Sequence, residues 1–194
     1  MKQIFGIALV LLTLSSSQLW AESYVIDTKG SHAFIQFRIK HLGYSWLYGR
    51  FNDFSGEFSY DPKKPEDTRF AVEIDMESLD SNHAERDKHL RSDKYLDVKK
   101  YPKAKFVTKH YEPTGDKTAK LTGDLTFYGT TKSITIDVEH IGGGAAPWDP
   151  KEHREGFEGR AVIKPADFGL NLVPQLGPTA AEVELMLSVE GVRK

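Results

Sequence analysis

Hydrophobic and polar residues alternate with a period of two over most of this chain. In residues 31–41, one parity is apolar and the other carries Gln36, Arg38 and Lys40; the apolar positions are Ala33, Ile35, Phe37 and Ile39. Residues 70–76 repeat the pattern with Val72 and Ile74 on the apolar face. Because successive side chains of a strand point to opposite faces, this alternation predicts strands with one buried face.

The whole chain gives about eight such strands, each about ten residues long. They are predicted over 31–41, 49–60, 70–76, 104–111, 120–128, 133–140, 156–164 and 182–192. Turn sequences separate them, among them Asp61-Pro62 and the run Gly142-Gly143-Gly144, which is interpreted as a flexible turn. Strands of this length favour a closed barrel over a sandwich, whose strands are usually shorter. We therefore predict an all-β fold, an eight-stranded antiparallel β-barrel of the size that can enclose one ligand.

One stretch, residues 82–100, departs from the alternation. It is rich in helix-forming residues, and Asn82 is a plausible N-cap. We predict a short helix over 83–91, inserted near one mouth of the barrel. There are no internal repeats and no linker, so the chain is interpreted as one domain.

The first 21 residues are typical of a secretory signal. Lys2 is followed by an apolar run over 4–14, a serine-rich stretch and Ala21, which is the layout of a cleaved leader. A membrane-spanning helix is the alternative, but it would need about 20 apolar residues. We therefore expect cleavage after Ala21, a β-barrel domain over 22–194, and a periplasmic location.

Composition removes several kinds of chemistry. The formal net charge is only −2, with both signs scattered, which argues against a nucleic-acid-binding surface. The chain contains no cysteine, which excludes thiol catalysis and thiolate metal sites. No nucleophile elbow, zinc-protease motif, phosphate-binding loop or dinucleotide fingerprint occurs. We expect no cofactor, no metal site and no catalytic residue.

The helix carries the one cluster that resembles a reactive site. His83 with Asp87, and Glu85 with His89, are each four residues apart and could pair on a helix. The two pairs point to different faces, however, so solvated charges or a structural ion pair are the favoured interpretation. Arg86 and Asp87 remain candidates for clamp residues where the helix meets the barrel.

Strand parity also suggests which residues face the lumen. His41 continues the inward parity of Phe37 and Ile39, so it is either a satisfied strand-end histidine or a group that meets a polar ligand head. The predicted ligand-binding residues are therefore seven apolar wall positions and three polar mouth positions: Ile35, Phe37, Ile39, Val72, Ile74, Leu125 and Phe127, with His41, Arg86 and Asp87. If side chains do not fill the interior, it is an elongated apolar cavity.

Five stretches give the chain a resemblance to a known family. They are HAFIQFRIKHLGYSWLYGRFNDFSGEF (32–58), NHAERDKHLRS with DKYLDVKKYPKAKF (82–106), LTGDLTFYGTTKSITI (121–136), PADFGL (165–170) and VELMLSVEGV (183–192). From Tyr24 to Val192 the chain resembles the YceI family of periplasmic, lipocalin-like, polyisoprenoid-binding proteins. It departs from the family pattern at Lys164, where an arginine often precedes the Ser-Asp-Phe-Gly turn.

The resemblance implies a lipocalin-like barrel with a helix near one opening. It also implies that the lumen holds an apolar lipid, either a long isoprenoid chain or a similar amphiphile such as a quinone tail, and that the family has no common catalytic residues. Two other readings stay open: a stress-response or structural protein whose lumen is filled, and an enzyme acting on a lipid or quinone headgroup. The pattern is compatible with transient membrane contact and with a homodimer, and requires neither.

Overall fold

A computed structural model describes residues 21–194 of the chain. Apart from Ala21, the predicted leader and its cleavage lie outside the described residues. The structure has eleven strands, β1–β11, and two helices, α1 and α2. The strands are Glu22–Ile26, Phe34–His41, Ser45–Phe51, Phe54–Tyr60, Arg69–Asp75, Leu79–Asp80, Lys103–Pro113, Thr118–Phe127, Thr130–Ala146, Asp149–Ile163 and Val183–Arg193, and the helices are Ala84–Arg91 and Val173–Leu176.

These eleven strands form an eight-stranded antiparallel barrel, as predicted. The ring runs β1-β4-β5-β7-β8-β9-β10-β11 and closes by pairing β11 with β1. Strand β11 pairs with β1 through its C-terminal half and with β2 through its N-terminal half. Strand β2 continues the line of β1, β3 that of β4, and β6 that of β5. Three of the eight barrel walls are therefore broken strands.

The broken strands correct one prediction and include one strand that was not predicted. The segment 49–60 is two strands, because the chain turns out of the ladder at Asn52-Asp53 between β3 and β4. The short first strand, Glu22–Ile26, lies between the predicted leader and a turn and was not predicted. It nevertheless closes the barrel, since Tyr24 pairs with Arg193 and Ile26 with Gly191.

Helix α1 lies at a gap in the ring, beside the very short strand β6. Strand β6 pairs with β3 alone, and β7 begins beside β5. Arg91 of α1 donates from Nη1 to the carbonyl oxygens of Leu79 at 3.0 Å and Glu77 at 3.2 Å. The guanidinium thus satisfies carbonyl groups that a neighbouring strand would otherwise bind. The helix prediction is confirmed within one residue, but the N-cap is His83, whose Nδ1 accepts from the Arg86 amide, and not Asn82.

An aromatic cluster fills the end of the barrel far from α1. The ring of Phe58 stacks on Tyr24 and Phe70 at centroid distances of 4.9 and 5.0 Å. Phe157 meets Phe58, Phe70 and Tyr60 edge to face at 5.2 to 5.4 Å. Edge-to-face and offset contacts are the favoured arrangements of such rings. One half of the interior is therefore solid.

A buried carboxylate lies beside this cluster. Oε2 of Glu155 is 2.6 Å from Nε2 of His140, and the Tyr60 hydroxyl is 3.4 Å from Nδ1 of the same ring. Burial and the nearby Glu155 charge raise the pKa of Tyr60. Gly143 is the cross-strand partner of Glu155, and a side chain at that position would collide with the carboxylate. The three-glycine run is thus part of strand β9 and not the flexible turn that the sequence predicted.

Ionic contacts fasten the β1–β2 junction to the wall. Nη1 of Arg154 is 2.8 Å from Oδ2 of Asp27 and also binds the Glu190 carboxylate. Although burial acts to raise it, hydrogen bonds from His32, Arg154 and the Gly30 amide lower the pKa of Asp27 to about 2. The charged form of Asp27 therefore stabilises the folded state at neutral pH.

Replacing Phe157 with alanine is expected to lower the free energy of unfolding by about 3–5 kcal/mol, because the cavity left among four rings cannot collapse. Urea denaturation followed by fluorescence measures the loss. Phe34 is 43% exposed on the outer face, so Phe34→Ala is the matched control and should cost less than about 1 kcal/mol. Equal losses would show that the aromatic cluster is not the main source of stability.

Asp27→Asn is expected to flatten the acid side of the stability profile. The folded pKa lies below the value of about 3.9 for an unfolded aspartate, so this stabilisation is present above pH ~4 and is lost as the pH falls toward 2. Denaturation midpoints of both proteins at several pH values between 2 and 5 measure the difference. Parallel profiles would contradict the assignment.

Candidate functional site: an apolar cavity at the open end

The half of the barrel nearest α1 encloses a cavity of about 490 Å³. All eight walls contribute side chains to it, and nearly all of these are aliphatic or aromatic. The strand residues on the wall are Ile26, Ile35, Phe37, Ile39, Leu47, Tyr48, Phe51, Phe54, Val72, Ile74, Leu79, Ala104, Phe106, Leu125, Phe127, Ile134, Ile136, Ile163, Val183, Leu185, Leu187 and Val189. The volume is in the range of small-molecule pockets, which are largely apolar with a few polar groups.

Apart from the adjacent pair Leu47 and Tyr48 in β3, the wall residues alternate along each strand because of the pleat. In β2, Ile35 is buried while Gln36 is exposed, and in β8 Leu125 is buried between half-buried neighbours. Close approach at one position shapes the wall: Gly49 is the cross-strand partner of Phe37, and the Phe37 ring lies where a side chain at residue 49 would be. A glycine on β3 thus lets an aromatic ring lie flat beside the cavity.

Polar groups of the cavity are concentrated at its mouth, on α1 and the residues before it. They are Ser81, His83, Glu85, Arg86 and His89. Arg86 donates from Nε to the Ser81 hydroxyl at 2.7 Å, and its Nη2 binds the Ser81 carbonyl. These contacts hold the guanidinium at the rim.

Eight of the ten predicted ligand-binding residues lie on the cavity wall. Seven are the apolar strand residues, and the eighth is Arg86 at the mouth: Ile35, Phe37, Ile39, Val72, Ile74, Leu125, Phe127 and Arg86. Their position agrees with strand parity, and their contact with a ligand stays a prediction.

His41 and Asp87 lie elsewhere, and their predicted positions need correction. His41 is exposed at the last residue of β2, where the β2–β3 hairpin has already passed the rim, so inward parity no longer points into the lumen. Asp87 is buried, and its Oδ1 accepts hydrogen bonds from the Ser81 amide at 2.9 Å and from the Ser81 hydroxyl. That carboxylate anchors α1 to Ser81, which directly follows β6, and Asp87 is not among the residues that line the cavity.

The structure also shows whether His83 and Asp87 of the α1 region can form a metal-binding pair. The ring of His83 caps the helix, and Asp87 is bound to Ser81, so these two side chains do not form a pair. Within residues 21–194, the ligand atoms of Asp27, His32 and Glu190 are close enough together to share a cation. Arg154 already binds both carboxylates of that group, so an ion pair network accounts for it.

Sequence reasoning missed the wall segment that lies between β10 and β11. Leu170, Leu172 and Leu176 line the cavity from the turns around helix α2. Their apolar spacing was a signal, but a non-strand stretch gives no parity from which to infer direction. Nearby, Phe168 is buried with its ring edge-on to Phe127 at 5.6 Å. Lys164, where the family pattern often has arginine, lies 4.0 Å from Glu182, and both side chains are largely exposed.

Comparison with known proteins identifies the family. A family model described as "YceI-like domain" matches residues 24–191. The chain belongs to this family. It is 50% identical to a UPF0312 protein of Pseudomonas aeruginosa over 193 residues, covering 100% of this chain and 98% of that one.

Solved structures of the same fold agree with the barrel. BcnA of Burkholderia cenocepacia superposes with a TM-score of 0.75 at 23% identity, covering 85% of this chain and 98% of that one. A polyisoprenoid binding domain from Saccharophagus degradans, implicated in plant cell wall breakdown, gives 0.64 at 15% identity, covering 89% and 99%. At these identities the likeness shows the fold of this YceI-like domain. No helix in residues 21–194 is long and apolar enough to cross a bilayer.

Asp87→Ala should loosen helix α1, because it leaves the Ser81 amide without its acceptor. An unsatisfied buried donor costs about 1–3 kcal/mol. Hydrogen exchange at the Ser81 amide should accelerate accordingly, whereas Glu85→Ala, at an exposed position of the same helix, should leave it unchanged. Unchanged exchange in Asp87→Ala would show that this carboxylate does not hold the helix.

Proposed function

We propose that this YceI-like domain is a non-enzymatic periplasmic carrier that holds a long apolar chain in its cavity. The observation that carries the proposal is the cavity itself: about 490 Å³ of space lined by aliphatic and aromatic side chains, with polar groups only near the mouth. An apolar chain can lie along such walls, and a polar head would remain at the rim.

The energetics favour an extended hydrocarbon over a compact polar molecule. Each buried methylene contributes about 0.8 kcal/mol, so about ten of them supply roughly 8 kcal/mol before the cost of ordering the chain. A polar ligand would have to lose its hydration without finding partners, because the wall strands offer almost none. The affinity for an amphiphile therefore increases with the length of its hydrocarbon chain, and the polar groups at the mouth select its headgroup.

The ligand class draws on the fold and on relatives. The Saccharophagus domain of the same fold is named for polyisoprenoid binding. Branched isoprenoid units suit a wall in which Val, Ile and Leu alternate with phenylalanine rings such as Phe37 and Phe106. We infer that the cargo is a polyprenyl lipid, a quinone tail or a similar amphiphile.

Two competing functions have less support. A purely structural or stress-response barrel would have no use for an open lumen, and this one is filled at only one end. An enzyme acting on the headgroup would need a reactive cluster at the mouth. The α1 side chains instead cap the helix, bind Ser81 or remain separate.

Native mass spectrometry of protein purified without detergent from the periplasmic fraction tests the carrier function and the location together. A discrete added mass that extracts into organic solvent as an isoprenoid lipid is the expected result. Protein that is ligand-free, and that stays so when polyprenyl lipids and quinones are offered, would overturn the proposal.

Phe37→Glu should abolish retention of the lipid, because it places a charge on the cavity wall with no partner. Gln36→Glu is the matched control, since residue 36 is adjacent in β2 but faces outward. Circular dichroism checks that both variants stay folded, and extraction of bound lipid is the measurement. Equal retention in the two variants would remove Phe37 from the binding wall.

A further inference from the structure

The β2–β3 hairpin ends in exposed apolar side chains. Leu42 is 54% exposed and Tyr44 is 86% exposed, the largest exposed fraction among the large hydrophobic residues of the described chain. The two residues stand at the turn between His41 and Ser45, beyond the rim of the barrel. Nothing in the described chain covers Tyr44.

The turn itself shows that the apolar tip is not a consequence of local preference. Leu42 and Gly43 have φ values of 52° and 83°, a backbone that hairpin turns usually build from Asn-Gly or Asp-Gly. Leucine is poorly suited to the left-handed region, since its Cβ is crowded there. The backbone of Leu42 is therefore strained, and more than half of its apolar side chain is exposed to water. Both costs indicate a role for this residue outside the isolated fold.

The hairpin tip is continuous with the mouth of the cavity. A side chain at Gly177 would lie 3.5 Å from a Leu42 methyl group, and Thr179 donates to the Lys40 carbonyl oxygen at 3.5 Å. Gly177 directly follows Leu176, which lines the cavity. An apolar path therefore leads from the cavity wall to the exposed tip.

Positive charge accompanies the apolar tip at this end of the barrel. Lys40 is exposed beside the turn. Residues 84–102, which form α1 and the connection to β7, contain six Lys and Arg residues against four Asp and Glu, although the whole chain has a net charge of −2. Lys88, Lys94, Lys99 and Lys100 are exposed and form no ion pair within the described residues. One of the four acidic residues, Asp87, is buried. The α1 side of the mouth therefore presents a small excess of positive charge.

We propose that the mouth rim, with Leu42 and Tyr44 at its tip, docks on an anionic lipid bilayer. The aromatic and aliphatic side chains enter the headgroup region, as interfacial tyrosines do, while the basic residues meet anionic headgroups. Docking in this orientation places the cavity mouth against the bilayer, so that a chain can pass between the two without crossing water. This inference does not require any particular cargo.

Vesicle co-sedimentation tests the docking surface. Wild-type protein should bind vesicles of phosphatidylcholine with phosphatidylglycerol, bind pure phosphatidylcholine vesicles more weakly, and lose affinity at high salt. Leu42→Asn suits the turn and should keep the fold, yet the double variant Leu42→Asn/Tyr44→Asn should weaken partitioning by about tenfold. Lys40→Gln should weaken binding to the anionic vesicles by about fivefold and leave binding to neutral vesicles unchanged.

Trp148→Ser is the matched control, because Trp148 is 67% exposed but lies at the β9–β10 turn of the opposite end. It should bind vesicles as the wild type does, and all variants share the same N-terminus, so a retained leader would affect them equally. Undiminished vesicle binding by the double variant would overturn the proposal. So would the finding, by analytical ultracentrifugation, that the variant only dissociates a dimer, since the tip would then contact a second copy. Native mass spectrometry of the same variants measures bound lipid independently of vesicle binding. A failure of the docking proposal can therefore be told apart from a failure of the carrier proposal.

Discussion

The organisation of this barrel depends on the aromatic packing around Phe58 and Phe157. Eight antiparallel walls enclose more interior than aliphatic side chains alone can fill, and the interior must be either packed or accessible. Rings from β1, β4, β5 and β10 meet within about 5 Å of one another and make the far end solid. Because the fold gains its packing there, the other end can remain open. Cavity and core are thus two halves of one interior, divided along the barrel axis.

At the open end the ladder of backbone hydrogen bonds is interrupted, because β6 does not pair with β7. A ring that continued as regular ladder would satisfy every carbonyl, but β6 is two residues long and pairs on one side only. Helix α1 replaces the missing pairing through Arg91, and Asp87 fixes the same helix to Ser81. Two of the residues that suggested a reactive cluster, His83 and Asp87, therefore have structural roles, while Glu85, Arg86 and His89 lie at the mouth. A helix held by a few side-chain contacts opens more easily than a strand held by a ladder.

Strand parity predicted the barrel and seven of the strand residues that line the cavity, because the pleat imposes a period of two wherever one face is buried. Parity does not predict where a strand leaves the barrel, nor the direction of side chains outside the strands. His41 has the inward parity but lies past the rim, Leu172 and Leu176 lie outside any strand, and the direction of Asp87 depends on Ser81. The prediction of a flexible turn at the three-glycine run was wrong for a related reason. Gly143 has no side chain, which leaves room for the buried Glu155 carboxylate of the neighbouring strand. The two residues are twelve apart in the chain, so local sequence does not reveal the contact.

The two ends of the barrel also differ in the way they treat polar groups. At the packed end, Glu155 and Asp27 are held by His140, Arg154 and neighbouring backbone, so charge is matched inside the protein. At the open end, the tip residues Leu42 and Tyr44 are apolar and exposed, and Leu42 keeps a left-handed backbone although only part of its side chain packs, near Gly177. Stability alone would favour asparagine at residue 42. The proposed lipid surface, next to an apolar cavity, is an environment whose chemistry fits the exposed leucine.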